Sequence, residues 1–295
     1  MNEIFAVDPK AFSNALELKY LFERFGFHEG RFVGQLPKKW RLMAEDHIRN
    51  WPDGARKSAQ VLLDKYYRDR VIRLGYPYQS DLPWLDNAID AKERGAVADV
   101  IAARESGDKV STIDDIDDDY FRRWGGRQFE VMSSAEKYAH AASLLLSYSH
   151  EVVFVDPYII SFRGDFQRVL EEMALMAKAG SKCNCFKVFT INDRSTIDQI
   201  KKAAPRFFRP IYERGIAVEF SVLQDVGDPN ADDHSRYLFS IKGAMQFDHG
   251  FDEESPPRKR KVSFVDSHIH NLLCSQYLEG NLPFKVMAHL EFPSR

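Results

Sequence analysis

The chain has 295 residues, of which 44% are hydrophobic, so it is long and apolar enough to bury the core of one large or two modest domains. Its formal net charge of −3 excludes a protein-wide field that attracts nucleic acid or acidic membranes, so any polyanion site must be a local patch. No run reaches the ~18–20 apolar residues of a transmembrane helix, and three cysteines without an apolar leader predict a cytoplasmic protein.

Residues 1–135 are expected to form a mainly helical region. Apolar residues at helical spacing predict helices over 12–25 and 55–74. A third helix is expected over 133–149, with Ser133 or Ser134 as its N-cap and Glu136 completing a capping box. Between them, five aspartates from Asp114 to Asp119 predict a solvated connector or the start of a helix.

Residues 136–295 are expected to form an α/β domain, because short apolar runs alternate there with helical patterns. Strands are predicted over 151–155, 185–191 and 215–223, separated by helices over 165–180 and from 195 onward. Strand–helix alternation is typical of right-handed βαβ units on a mostly parallel sheet. Pro205 and Pro210 should kink or end the second helix. Beyond these elements we expect a hairpin at Lys242-Gly243, a basic loop over 255–261, and a closing helix with Ser267 as its N-cap.

Two groups of polar residues in this half are candidates for a ligand site. Asp156 and Tyr158 follow the first predicted strand, where ligands of open α/β sheets bind, although Asp-Pro at a strand end is also ordinary turn chemistry. His234 and Arg236 are spaced to share one face of a strand. A histidine can attack phosphorus or act as a general acid, and a guanidinium holds phosphate oxygens in a bidentate fork. The alternative is that the pair binds no ligand: the histidine makes its hydrogen bonds within the protein, and the arginine lies on the surface at the start of a strand.

The segments "VVFVDPYI" and "HSRYLFSIKGAMQFDHGFD" together resemble a known family. They are similar to the phospholipase-D-like domain at the C-terminus of microtubule-interacting-and-trafficking proteins, and to bacterial proteins that share it, several of which are found near defence or mobile-element genes. The resemblance covers roughly residues 135–295 and includes the spacing of Gly243, Gly250 and Asp252. It implies a mixed sheet flanked by helices, Asp252 as a further ligand-site residue, and binding to acidic phospholipids or protein partners.

The same resemblance bears on catalysis. Active phospholipase-D enzymes carry His-x-Lys, four residues and then Asp, usually twice. Here His234 matches the histidine, Arg236 replaces the lysine, Ile241 stands at the aspartate position, and the chain has no second His-x-Lys. One histidine cannot be both nucleophile and acid, so the resemblance implies a protein that has lost catalysis. A homodimer that supplies the second histidine in trans would instead be a metal-independent phosphodiesterase or nuclease.

Two basic segments are candidate nucleic-acid contacts, because cations interleaved with aromatics can follow a phosphate backbone and stack on bases. The segments lie over residues 31–41 and 258–261. In each of them, the alternative is a loop whose charged side chains face solvent and bind no nucleic acid. The candidate contacts are Arg31, Lys38, Lys39, Arg41, Arg258, Lys259, Arg260 and Lys261.

"FVDSHIHN", residues 264–271, reads like the opening of a metal-dependent amidohydrolase. Only 25 residues follow His270, too few for the barrel that such enzymes need, so we predict no metal and no cofactor. The sequence therefore predicts a catalytically degenerate phospholipase-D-like protein. It would bind phosphate, DNA, RNA or a protein partner, possess no transmembrane segment, and act in a bacterial anti-phage defence or mobile-element system. The alternatives are the homodimeric nuclease and a protein-interaction scaffold.

Overall fold

The computed structural model describes residues 3–104, 110–124, 126–180, 182–191, 195–224 and 236–293. The chain divides into two compact units, Met1–Arg127 and Gln128–Arg295, each with its own sheet. Among the described helices, none combines the length and the apolar character that spanning a bilayer requires.

The first unit is built on a parallel sheet. Its strands stand in the order β3-β2-β1-β4-β5. Residues of β1 alternate between two cores, with Phe5 and Val7 in one and Ala6 in the other, so both faces of the sheet are covered. In chain order the elements of this unit are β1 (Glu3–Val7), α1 (Ala15–Glu23), β2 (Arg31–Gln35), α2 (Trp40–Ile48), α3 (Asp53–Arg70), β3 (Val71–Arg73), α4 (Trp84–Glu93), β4 (Asp99–Ala102), β5 (Ser111–Thr112) and α5 (Asp118–Arg122).

The helices expected over 12–25 and 55–74 are present as α1 and α3, but Val71–Arg73 form β3 and not the end of the second helix. A five-stranded sheet accompanies the helices, which the sequence reasoning did not predict. These strands have two to five residues, too short for a clear period. The aspartate run starts a helix, since the side chain of Asp117 accepts a hydrogen bond from the backbone N–H of Tyr120 at 2.7 Å.

The second unit is built on a mixed sheet flanked by helices, in the order β13-β9-β8-β7-β10-β11-β12-β6. This confirms the predicted α/β class, and the central strands β7, β8 and β9 are parallel as expected. In chain order its elements are β6 (Gln128–Met132), α6 (Ala135–Ala141), α7 (Ser143–Tyr148), β7 (Glu151–Val155), α8 (Gly164–Ala179), β8 (Cys185–Ile191), α9 (Ile197–Tyr212), β9 (Ala217–Gln224), β10 (Tyr237–Ser240), β11 (Gly243–Phe247), β12 (Lys259–Phe264), α10 (Ser267–Tyr277) and β13 (Lys285–Phe292).

Several local expectations differ from the observed second unit. The helix expected over 133–149 is two helices, and the Ser134 side chain makes no cap bond. Helix α10 is capped by Asp266, not Ser267, because the Asp266 carboxylate accepts from the backbone N–H groups of His268 and Ile269. The expected basic loop continues into a strand, since β12 already begins at Lys259.

Helix α9 does not end at either of its prolines. Pro210 has no N–H, so the carbonyl of Arg206, four residues earlier, lacks its usual donor. The side-chain amide of Gln167 on α8 donates to that carbonyl at 3.4 Å and to the carbonyl of Phe207 at 2.6 Å. Tertiary packing thus supplies a partner that the helix itself cannot, and α9 continues to Tyr212.

Candidate functional site

Asp156 stands directly after β7, where the chain leaves the carboxyl end of the parallel strands. Its side chain is fully buried, and its two oxygens are held by main-chain donors. Oδ1 accepts from the backbone N–H of Tyr158 at 2.8 Å, and Oδ2 accepts from the backbone N–H of Phe251 at 3.2 Å. The carboxylate therefore ties the end of β7 to the segment that follows β11.

Burial shifts the protonation of this carboxyl group. Loss of solvent raises the pKa of Asp156 to about 6, although the two backbone N–H groups and the positive charge of Arg236 act in the opposite direction. The negative charge of Asp252 adds to the increase. Asp156 is therefore ionised at neutral pH and neutral in mildly acidic solution, so the charge of the site changes between these conditions.

Gly250 brings the Asp156 carboxylate and the Arg236 side chain together. It has a φ of +91°, which favours glycine. A Cβ atom at Gly250 would lie 2.7 Å from Asp156 Oδ2 and 3.0 Å from Arg236 Cδ. Only a residue without a side chain fits between these two groups, which makes Gly250 part of the site. The spacing within the resemblance had pointed to this glycine.

Arg236 directly precedes β10 and is held in place from two sides. Its Nη1 donates to the carbonyl of Asp248 at 2.9 Å, and its guanidinium carbon lies 5.0 Å from the centre of the Tyr158 ring. Its Nε is enclosed and has no hydrogen-bond partner among the described residues. A buried donor without an acceptor is costly, because desolvation is not compensated. The Nε–H of Arg236 is therefore an uncompensated donor within this cluster.

Asp252 completes the described cluster. Its Oδ2 lies 3.4 Å from Nη2 of Arg163, which also forms an ion pair with Asp165 at the start of α8. Sequence reasoning missed Arg163, which belongs to no motif. Of the predicted residues, the structure thus groups Asp156, Tyr158, Arg236 and Asp252 at one end of the sheet. His234, the predicted partner of Arg236, lies outside the described residues.

Ile241 lies away from this cluster. Arg236 precedes β10 and Ile241 follows it, so the strand separates the two positions. Ile241 is 75% exposed in the turn between β10 and β11. The position that the resemblance aligns with an aspartate therefore holds an exposed apolar side chain at the opposite end of β10 from Arg236.

The basic candidates of the first unit have different environments. Arg31 is only 8% exposed and donates to Glu29 Oε2 at 2.8 Å. Arg41 forms ion pairs with Glu45 and Asp64. Lys38 and Lys39, which follow β2, are exposed, so they are the accessible cations of this segment.

The basic candidates of the second unit lie at the start of β12, and acidic neighbours compensate three of them. Arg258 and Arg260 pair with Glu254, and Lys259 pairs with Glu130 across the sheet at 3.0 Å. Lys261 is exposed. Neutralised cations bind polyanions less strongly than free ones, because binding must first break an existing ion pair.

The two histidines of "SHIH" lie on helix α10 and not at a strand end. Residues two apart on a helix do not face each other. His268 is exposed, whereas His270 is buried and its Nε2 donates to the carbonyl of Ser240 at 2.7 Å. In the part of the chain that the structure describes, no three His, Cys, Asp or Glu side chains are grouped as metal ligands.

No protein-family model and no curated protein sequence matches this chain. Among solved structures, the chain is similar to TrmBL2, an archaeal chromatin protein whose structure is described as showing a novel mode of DNA binding. The two share 11% identity at a TM-score of 0.29, over 55% of this chain and 54% of TrmBL2. The chain thus matches about half the length of that protein, at a similarity too low to support a conclusion about either fold or function.

Proposed function

We propose that residues 128–295 form a phospholipase-D-like unit that binds a phosphate group of a nucleic acid through Arg236 and has lost catalysis. The observation that carries this proposal is the guanidinium of Arg236, which lies over the Tyr158 ring, beside Gly250 and near the Asp156 carboxyl. A phosphate oxygen is a strong acceptor for such a donor.

The charges around Arg236 fit a binding role. Arg163 stands nearby as a second cation, paired with Asp252. The carboxyl of Asp156 becomes neutral below pH 6, which removes a negative charge that repels phosphate. The site therefore favours an anion more strongly in mildly acidic solution.

Two features favour a binding role over catalysis. Ile241 replaces the aspartate of the active motif and lies beyond the far end of β10 from Arg236. The chain also has only one histidine in the required motif. Arginine keeps the charge of the usual lysine and its grip on phosphate, but it cannot supply the missing acid.

The first test measures the affinity of the whole chain for a fluorescein-labelled oligonucleotide by fluorescence anisotropy. We expect Arg236→Ala to weaken binding about 10-fold or more, the equivalent of one charge-assisted hydrogen bond. Arg209→Ala is the matched control, because Arg209 is an exposed arginine of the same unit that pairs with Glu213 on its own helix. Equal affinities of the Arg236→Ala and Arg209→Ala variants would refute the proposal.

The same preparation separates the alternatives. Cleavage of the oligonucleotide that resists EDTA and disappears in His234→Ala would establish the homodimeric nuclease. A protein partner bound without salt dependence, together with no affinity for the oligonucleotide, would identify a scaffold. For a nucleic-acid binder, the affinity falls steeply with salt.

We propose further that this binding serves a bacterial anti-phage defence or mobile-element assembly in the cytoplasm, with a protein partner or a second copy of the chain. The resemblance to defence-associated bacterial proteins supports the role in defence, and the odd number of cysteines supports the cytoplasmic compartment. Co-purification of a partner encoded next to the gene would test it.

A further inference from the structure

The first unit contains a pocket of about 480 Å³ that the proposed function does not use. This volume is within the range of small-molecule sites and exceeds what a single phosphate group needs. All of its lining residues belong to Met1–Arg127. Four arginines are among its lining residues, Arg24, Arg31, Arg122 and Arg127.

Arg31 is the fixed group of this pocket. Its Nε donates to the carbonyl of Arg24 at 3.1 Å, and its guanidinium carbon lies 4.7 Å from the centre of the Phe121 ring. These contacts hold the planar head of Arg31 in one orientation at the pocket wall. A pre-oriented guanidinium loses little entropy when it binds an oxyanion.

The lining of the pocket contains four arginines but three carboxylates, those of Glu23, Glu29 and Asp118. Arg31 and Arg127 share a single carboxylate, with Arg31 Nη2 at 2.8 Å from Glu29 Oε2 and Arg127 Nη2 at 2.5 Å from Glu29 Oε1. Two positive charges therefore face one negative charge. Arg24 is paired separately, with Asp118, and lies over the ring of Tyr20.

The electrostatics of Arg31 are consistent with this imbalance. Burial lowers the pKa of Arg31, and the positive charges of Arg127 and Arg24 lower it further, while Glu29 and, to a smaller extent, Asp118 act in the opposite direction. The buried cation is thus less stabilised than an arginine in water. A second anion beside Glu29 would stabilise the positive charge of Arg31.

We propose that this pocket is a separate binding site for a small phosphorylated ligand, whose phosphate group is held by Arg31 and Arg127. Phosphate oxygens match the forked N–H groups of two guanidinium heads, and the remaining volume accommodates the organic part. The proposal is independent of nucleic-acid binding at Arg236, because no residue of the second unit takes part.

The test uses inorganic phosphate and pyrophosphate, titrated by calorimetry into the full chain at constant ionic strength. All variants carry Arg236→Ala, so the second unit does not contribute its proposed phosphate contact. We expect Arg127→Ala to weaken binding at least 10-fold, since it removes a charged donor. Arg127 is 58% exposed, so its truncation leaves the core intact. Arg94→Ala, which removes an exposed arginine paired with Asp90 in the same unit, should leave the affinity unchanged.

Glu29→Gln provides the second measurement. Replacing the shared carboxylate by an amide removes the negative charge that competes with the ligand, so the affinity for phosphate should rise several-fold. The proposal is overturned if neither anion binds above the level of chloride at the same ionic strength, or if Arg127→Ala and Arg94→Ala bind equally well. Failure of nucleic-acid binding at Arg236 would leave these outcomes unaffected.

Discussion

Asp156 links the protonation of the candidate site to the stability of the fold. The usual pKa of an aspartate is 3.8, and burial raises that of Asp156 to about 6. Between these pH values the folded chain binds more protons than the unfolded chain, so its stability falls as the pH rises through this window. Above pH 6 the ionised, buried carboxylate of Asp156 lowers the free energy of unfolding by its full amount, on the order of 2–3 kcal/mol.

Asp156→Asn tests this linkage, because it removes the charge and keeps an acceptor for one backbone N–H. We expect the free energy of unfolding of the variant minus that of the wild type to increase between pH 4.5 and pH 8, because only the wild type loses stability as Asp156 ionises. Urea unfolding at several pH values measures this difference. The raised pKa values of Glu3 and Asp8 affect both proteins alike and cancel. A difference that does not vary with pH would contradict the assignment.

Gly250 is the second residue on which the geometry of the site depends. Gly250→Ala combines a left-handed backbone with a Cβ only 2.7 Å from Asp156 Oδ2, so we expect a loss of about 1–3 kcal/mol in stability. It should also displace Arg236 and weaken oligonucleotide binding. Thermal unfolding and anisotropy measure the two effects. Gly164→Ala, where an added Cβ meets no atom within 4 Å, is the control and should be neutral or slightly stabilising.

At the scale of the elements, β6 decides where the second unit begins. It pairs antiparallel with β12 along residues 128–132 and forms the edge of the mixed sheet. Just after it, Ser133 bonds to both the N–H and the carbonyl of Arg258. The boundary expected from the sequence, at 135/136, leaves this strand with the first domain, whereas the two compact units divide between Arg127 and Gln128.

A fragment of residues 136–295 should therefore be less stable than one of residues 128–295. Without β6, the N–H and C=O groups of β12 become an unpaired edge that invites aggregation. We expect a lower urea midpoint and a larger apparent size in size-exclusion chromatography for the shorter fragment. Identical midpoints for the two fragments would show that β6 contributes nothing to the stability of this unit.

At the scale of the whole molecule, the chain consists of two α/β units with separate cores. The sequence predicted the α/β character of the second half because its central strands are five to eight residues long and alternate with long amphipathic helices. It missed the sheet of the first half, whose strands have at most five residues. β7 is as short as β1 and β2, but the turn signal Asp156-Pro157 and a long amphipathic helix follow it, whereas the strands of the first unit are defined by the distant strands they pair with.

The candidate sites likewise have features that the sequence predicted and features that depend on the tertiary structure. The sequence alone identified Asp156 at a strand end, Arg236 in its motif and the spacing of Gly250, because strand ends, motifs and glycines are local signals. Only the tertiary structure decided that Asp156 is buried, that Arg31 is a pocket residue beside Arg127, and that most of the basic residues around 258–261 are paired with acids. Burial and charge pairing depend on residues that can lie more than a hundred positions away in the chain, as Lys259 and Glu130 do, and no local pattern records which of them will meet.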